Sequence, residues 1–202
     1  MKKVIVILSA LVLCASAANA QSWLDSFLKM ATEKVGDVIT GTSSGTTFDL
    51  KGTWKYHGVA IGATSDNILS SLAASAGSGT VEKKCDELLA MAGIKAGSAL
   101  LSFKEDGSFT LNAGKLNLPG TWTREGSKVT INIAKVFNFK LVGTLKTTAD
   151  GCQILFDADK FLTFIQKVLT AVNKVANSST ITAVQQAIAN VNGLKLGFKL
   201  AK

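Results

Sequence analysis

Apolar and polar residues alternate with a period of two through most of residues 98–157. This alternation is typical of β-strands that bury one face. The turn signals Asp106-Gly107 and Asp150-Gly151 divide the stretch into short runs, which predicts an antiparallel meander. Pro119-Gly120 is interpreted as a further turn, ahead of a short strand around Trp122.

The same alternation predicts a first strand over residues 48–61 and a last strand from Leu194 to Leu200, giving eight strands. Gly58 interrupts the first strand and is interpreted as a β-bulge. Eight antiparallel strands can close into a barrel that is filled by side chains or holds one small ligand. Pairing the last strand with the first removes both exposed edges. We therefore predict a mainly β fold with helical insertions (α+β), an eight-stranded antiparallel barrel; an open sheet or sandwich is the alternative.

Apolar residues three and four positions apart predict helices in two connections of this barrel, between strands 1 and 2 and between strands 7 and 8. The first connection, residues 65–93, is interpreted as two helices, the second beginning at an N-cap on Thr80 and ending at Gly93. The second connection is expected to hold helices over residues 158–176 and 180–192.

The first twenty residues have the layout of a secretory signal peptide. Lys2-Lys3 is followed by an apolar run from Val4 to Leu13 and by the small-residue motif Ala18-Asn-Ala20. The run is too short to span a bilayer core about 30 Å thick. We expect cleavage after Ala20 and export to the periplasm or the extracellular space. A lipoprotein anchored at Cys14 is the alternative.

The expected mature chain begins with an N-terminal amphipathic helix over residues 21–40, where apolar residues follow helical spacing. Residues 41–47 contain no apolar side chain and are interpreted as a linker. Residues 48–202 form the predicted barrel domain. A composition of 47% hydrophobic and 18% charged residues excludes a disordered chain.

The chain has a net charge of +8, which becomes +6 if Lys2 and Lys3 leave with the signal peptide. An exported basic protein is not expected to meet nucleic acid, and peripheral contact with anionic membrane lipid or glycan is more plausible. Plain solubility and protection of strands from edge pairing are the stronger alternative. If strands 1 and 8 are neighbours, four lysines share one outer face and form a basic patch: Lys51, Lys55, Lys195 and Lys199.

Two cysteines, Cys85 and Cys152, lie beyond the predicted signal peptide. In an oxidising compartment such a pair permits one disulfide. Both also lie on apolar faces, so two buried free thiols are an equal alternative. Their spacing fits no zinc site.

The inventory of reactive side chains argues against an enzyme. His57 is the one histidine in the sequence, and alternation places it on the polar side of the first strand. Asp157 fits an N-cap and Asp159 the first turn of the helix that follows, which is more plausible than a calcium site. The sequence contains no nucleophile elbow, phosphate-binding loop or EF-hand. We expect no catalytic residue, no metal site and no cofactor.

Aromatic side chains are prominent on the predicted inward faces, which carry no charged side chain in this interpretation. A cavity between them would hold an apolar ligand, such as a fatty acid or a sterol. The alternative is that the same side chains pack a filled core. The candidate lining residues are Trp54, Tyr56, Phe103, Phe109, Phe139 and Phe198.

The pattern Leu-x-Gly-Thr-Trp occurs at residues 50–54 and again at 118–122. A Gly-x-Trp on the first strand of a barrel resembles the lipocalin signature, in which the tryptophan closes the floor of the barrel. This resemblance implies the same position for Trp54.

Four segments together resemble a family of uncharacterised, exported lipocalin-like proteins of Gram-negative gut bacteria. They are Gly52–Tyr56, Ser65–Leu69, Phe156–Lys160 and Gly193–Leu200. The resemblance implies a lipocalin-like barrel and export, and the family has no established activity. The chain departs from true lipocalins because helices follow the first strand and because the last strand comes after the helices.

The leading hypothesis is therefore an exported, non-enzymatic lipocalin-like protein that binds a small apolar ligand. The alternative is an envelope structural or protein-interaction module with a filled barrel and no ligand. The sequence does not determine the oligomeric state.

Overall fold

The computed structural model describes residues 48–65, 78–133, 137–173, 178–189 and 191–202. Residues 48–202 form one compact unit. The predictions for residues 1–20, 21–40 and 41–47, and for most of the helix expected after Ser65, lie outside the described residues.

The described chain forms a closed antiparallel barrel in which every strand pairs with its neighbours in sequence and β8 pairs with β1. The prediction of an eight-stranded barrel is confirmed. The strands are β1 (Gly52–Ala63), β2 (Leu100–Phe103), β3 (Ser108–Ala113), β4 (Leu116–Glu125), β5 (Lys128–Ile133), β6 (Phe139–Thr148), β7 (Gly151–Asp157) and β8 (Leu194–Ala201).

Strand β1 divides its hydrogen bonds unequally between its two neighbours. Residues Gly52–Lys55 pair with β2, whereas the ladder with β8 runs from Lys55 to Ala63. The register with β8 shifts between Tyr56 and Gly58, so the predicted bulge is present. Gly58 has a φ of 138°, a backbone conformation that side chains with a Cβ rarely adopt, which explains the glycine.

The connections between strands alternate between the two ends of the barrel. At one end, here called the floor, short turns join β2 to β3, β4 to β5 and β6 to β7. At the other end, the mouth, the connections from β1 to β2 and from β7 to β8 carry the described helices. These are α1 (Ser78–Met91), α2 (Ala158–Ala171) and α3 (Ser178–Ala189). Helices therefore occur in the two connections where the sequence predicts them, both at the mouth.

Two helix boundaries differ from the prediction. Helix α1 begins at Ser78, two residues before the expected cap Thr80, and includes Gly79 in its first turn. Helix α2 ends at Ala171 and not at residue 176, because Asn173 adopts a left-handed conformation with a φ of 54°.

The interpretation of Pro119-Gly120 as a turn is wrong, because both residues lie within β4. Pro119 pairs with Thr110 on β3, but the ladder with β5 begins only at Thr121. Among the described residues, the ladder partner of Pro119 lies on β3 alone. A proline, which has no N–H to donate, is tolerated at such a place.

One hydrophobic core joins the inward faces of the strands to the helices. Leu101, Leu111 and Ile131 on the strands are almost completely buried, as are Phe161 and Ile165 on α2. The helices thus contribute to the same core that the barrel encloses, and they are not separate additions to its surface.

Candidate functional site: the barrel interior and its mouth

The strand register places the six candidate lining residues on the inward side of the barrel. Trp54, Phe103 and Phe109 lie near the floor, and Phe103 pairs directly with Phe109. Five of the six are at most 2% exposed, and Phe139, at the mouth end of β6, is half-buried. The aromatic side chains therefore fall into a group at the floor and a group around Tyr56 and Phe198, with Phe139 apart from both.

Trp54 closes the floor together with the segment that precedes β1. Its indole N–H donates to the carbonyl of Leu50 at 2.8 Å, and its ring lies 5.5 Å from that of Phe48. The ammonium of Lys202 lies 5.1 Å above the same ring, a cation–π distance. The position that the Gly-x-Trp resemblance implies for Trp54 agrees with this geometry.

Arg124 is a charged residue on the inward side of the barrel, which contradicts the expectation that inward faces carry no charge. It pairs with Val129, a core residue of β5, so both side chains leave the sheet on the same face. The half-buried guanidinium donates to the carbonyls of Phe48 and Gly126. Arg124 thereby fixes the segment under Trp54 at the floor, where its charge remains partly hydrated.

The centre of the interior is occupied by aromatic rings. The ring of Phe198 lies within 6 Å of the rings of Tyr56, Phe156, Phe161 and Phe164, in edge-to-face geometry each time. Phe161 and Phe164 come from α2, not from a strand. Helix α2 therefore inserts two aromatic side chains into the interior of the barrel at the level of Phe198.

Asp86 on α1 joins the helix to the bulged part of β1. Its Oδ1 accepts a hydrogen bond of 2.5 Å from the Tyr56 hydroxyl and one of 3.0 Å from the Val59 N–H. Burial, followed by the hydrogen bond to this carboxylate, raises the pKa of Tyr56 far above its usual range. The phenol is therefore a permanent donor at physiological pH.

A shallow groove of about 420 Å³ runs along the outer side of α1 and reaches Asp86. Its described lining consists of Glu82, Lys83, Asp86, Glu87 and Ala90. Asp86 therefore lies between this groove outside the barrel and the aromatic side chains inside it.

Closure of the barrel places Lys55, Lys195 and Lys199 of the predicted basic patch on neighbouring strands, and Lys51 lies immediately before β1. Three of the four lysines are paired. Lys51 lies 3.1 Å from Glu105, Lys199 lies 3.1 Å from Glu82, and Lys195 contacts Asp157. Asp157 immediately precedes α2, as predicted, but its side chain makes no capping hydrogen bond and binds Lys195 instead. Contact of the patch with anionic lipid or glycan stays a prediction.

Cys85 and Cys152 are free thiols, both buried. Of the two alternatives that the sequence left open, a disulfide or two buried free thiols, the structure has the free thiols. Burial raises the pKa of each thiol to about 12. A thiol with such a pKa remains protonated at neutral pH and is a poor nucleophile.

His57 lies at the bulge and is exposed, on the polar side of β1 as expected. Among the described residues, no group of three or more His, Cys, Asp or Glu side chains is arranged to hold a metal ion. Within the same part of the chain, no helix has the length and apolar character needed to cross a membrane.

A closed eight-stranded barrel with its tryptophan at the floor defines a lipocalin-like architecture. A protein family described as "Lipocalin-like domain (DUF4923)" matches residues 24–202, and the chain belongs to this family. No curated protein and no solved structure matches the chain.

Sequence reasoning missed two residues of this site, Asp86 and Arg124. For Arg124 a signal was present, because alternation counted from Trp122 places a residue two positions later on the same face. For Asp86 the sequence offers no equivalent signal. It is one of several acidic residues on α1, and only the docking of that helix selects it as the partner of Tyr56.

Proposed function

We propose that this protein is exported, has no enzymatic activity and binds one small apolar ligand, such as a fatty acid, inside its barrel. The observation that carries the proposal is the interior itself. Apolar and aromatic side chains from all eight strands converge on one core, and amphipathic helices cover that core at the mouth. An eight-stranded barrel of this size accommodates either side chains or one small ligand.

The ligand site is the region around Phe198. Phe161 and Phe164 of α2 contact this ring. A ligand chain that displaced these two rings would bury its own apolar surface against Phe198 and Tyr56, worth about 25 cal/mol per Å². Binding therefore requires these two rings to move aside, and the ligand replaces the contacts that they give up.

Two features of the site support the absence of catalysis. The raised pKa of Cys152, which faces the interior, keeps its sulfur protonated and unreactive. The exposed imidazole of His57 leaves the strand on the side opposite the interior, so it cannot act on a ligand in the barrel. The proposal of export rests on the signal-peptide pattern of residues 1–20.

A second candidate function is a structural or interaction module whose barrel holds no ligand. The aromatic rings around Phe198 favour it, because edge-to-face packing of this kind is the ordinary way to fill a protein core. In that case the partners of the protein would bind its outer surface.

Native mass spectrometry of protein purified from its own envelope fraction separates the two candidates. An additional mass of a few hundred daltons that disappears on denaturation is expected, together with a chain that begins at Gln21.

A second experiment measures the binding of a fluorescent 16-carbon fatty acid to the wild type and to the variant Phe164→Ala. Because this variant removes a ring that competes with the ligand, we expect tighter probe binding than in the wild type.

The matched control is Val142→Ala, which removes an apolar side chain that is 42% exposed on the outer surface. It should leave probe binding unchanged. A bare chain from the envelope, combined with no saturable probe binding to the wild type or to Phe164→Ala, would contradict ligand binding and favour the filled barrel.

A further inference from the structure

Helix α1 occupies a gap in the wall of the barrel at the mouth. Strand β1 pairs with β2 over Gly52–Lys55, and the Tyr56 backbone still bonds to Ala99 and Gly97. Beyond Tyr56, no strand among the described residues pairs with β1 on that side. Helix α1 packs against β1 there, and its apolar face contributes Val81, Cys85 and Leu88 to the core. The helix therefore covers the aromatic interior at the place where the barrel lacks strand pairing.

Among the described residues, two carboxylates of α1 make hydrogen bonds to β1 and β8. One carboxylate, that of Asp86, satisfies both the Val59 N–H and the Tyr56 hydroxyl. Glu82, one turn earlier, accepts a hydrogen bond from Lys199 on β8. The contacts of Asp86 and Glu82 lie on the side of α1 that faces β1 and β8. The contact of Asp86 with the Tyr56 hydroxyl is removed by a substitution at Tyr56, and the contact of Glu82 is removed by a substitution at Glu82. Neither substitution changes another apolar residue of the core.

The chain between α1 and β2 has features that allow the helix to move while β2 stays in place. Gly97 has a φ of 77°, and an added Cβ would meet no atom within 4 Å. Its N–H donates to the Tyr56 carbonyl at 2.7 Å, which fixes the end of the connection on β1. A rotation near Gly97 can therefore change the position of α1 and leave the ladder of the barrel intact.

We propose that α1 is a lid over the barrel interior and that Asp86, held by Tyr56 and Val59, is its latch. The inference rests on the proposed ligand-binding function, since the lid controls access to that site. Lifting α1 exposes its apolar face to water, so the open state is rare in the free protein. An apolar ligand that covers the exposed surface stabilises the open state.

The two native cysteines report on this movement independently. Cys85 lies on the buried face of α1 and becomes accessible when the helix lifts. Cys152 faces the interior from β7 and becomes accessible only when the barrel itself opens. When closing is fast, the labelling rate of each thiol is proportional to the population of the conformation that exposes it.

The test measures the labelling rate of both thiols by peptide mass spectrometry in the full-length protein without ligand. Tyr56→Phe removes the hydroxyl of the latch and keeps the ring, and we expect Cys85 to react about tenfold faster, in line with the loss of one charge-assisted hydrogen bond. Glu82→Gln, which weakens the half-buried ion pair with Lys199, should accelerate Cys85 about twofold. The Cys152 rate should not change in either variant.

The matched control is Thr53→Val, which removes the hydrogen bond between the Thr53 and Ser102 hydroxyls on the outer face of β1 and β2. It should leave both rates unchanged. The lid is contradicted if neither Tyr56→Phe nor Glu82→Gln makes Cys85 react faster. It is also contradicted if Cys85 and Cys152 accelerate together, which indicates unfolding of the whole barrel.

A second arm distinguishes failure of the lid from failure of the proposed function. In stopped-flow mixing with the fluorescent 16-carbon fatty acid, Tyr56→Phe should bind about tenfold faster than the wild type. If neither protein binds the probe, the ligand proposal fails, while the labelling rates still decide whether α1 opens.

Discussion

The ring of Phe156 on β7 lies directly over Gly143 on the neighbouring strand β6. The two residues pair in register, and a Cβ added to Gly143 would lie 2.7 Å from two carbons of the ring. The same Cβ would lie 2.9 Å from the backbone carbonyl oxygen of Leu155, which cannot move without disturbing the ladder. Gly143 therefore provides the space in which one ring of the central aromatic cluster lies flat.

Gly143→Ala should destabilise the fold by overpacking, by about 1–3 kcal/mol. Urea denaturation followed by circular dichroism measures the change in the free energy of unfolding. Thr144→Ala, at the next position on the exposed face of β6, serves as the control and should change that free energy by less than about 0.5 kcal/mol. Equal effects in the two variants would show that the glycine is not required for packing.

Removal of the Arg124 side chain should loosen the floor. Arg124→Ala deletes the hydrogen bonds to Phe48 and Gly126, and we expect a loss of about 1.5–3 kcal/mol of stability. Arg124→Lys should recover little, because an ammonium cannot reproduce two donations from one planar group. Hydrogen exchange of a peptide spanning residues 48–54 should become faster, while peptides from α2 keep their protection. Faster exchange in both regions would assign Arg124 a global role instead.

Alkaline pH should destabilise the protein through its buried thiols. Each thiol has a pKa near 9 when unfolded and about 12 in the fold, so the unfolded state releases the proton first as the pH rises. Their contribution to stability is complete below pH 9 and declines from there to about pH 12. By pH 10 each thiol should account for a loss of about 1.4 kcal/mol.

The measurement compares the urea midpoints of the wild type and the double variant Cys85→Ala, Cys152→Ala between pH 8 and pH 10. The variant should be less stable at pH 8 but should lose stability less steeply. Parallel curves for the two proteins would show that the thiols do not cause the alkaline decline.

The basic patch should bind anionic membranes only weakly. Its four lysines face three carboxylates, those of Glu82, Glu105 and Asp157, so little net positive charge remains. Sedimentation with phosphatidylglycerol vesicles should detect binding at low salt that disappears near 0.15 M, where the screening length is about 8 Å. Charge reversal of all four lysines should abolish it, and phosphatidylcholine vesicles serve as the control. Binding that persists at high salt would assign the membrane contact to another surface.

The inward set of the strands could be predicted because alternation with a period of two is a local property. Trp54, Leu111 and Ile131 need no partner to be assigned to a face. Closure could be predicted because exposed strand edges are unfavourable and the first and last strands are both long and apolar on one side. The helices could be placed in their connections for the same local reason, within a few residues at their ends.

The features that could not be predicted depend on tertiary contacts, and alternation along the chain gives no information about these contacts. Pro119 is compatible with a strand because, among the described residues, its ladder partner lies on β3 alone. Asp86 becomes part of the mouth because α1 docks beside β1, where the pairing with β2 has ended. The sequence of α1 does not specify this docking position. The filling of the interior by Phe161 and Phe164 likewise depends on how deeply α2 inserts.

Strand β1 pairs over more residues with β8 than with β2, and this difference affects the order in which the protein folds. Most of the ladder partners of β1 lie on β8, and paired residues such as Val59 and Phe198 are about 140 positions apart in the chain. The hairpins from β2 to β7 need only local loop closure, whereas joining β1 to β8 carries the largest entropic cost. We expect the meander to form first and the barrel to close last. Until it closes, the edges of β1 and β8 remain open to pairing with another chain, so the closing step is also the stage most vulnerable to aggregation.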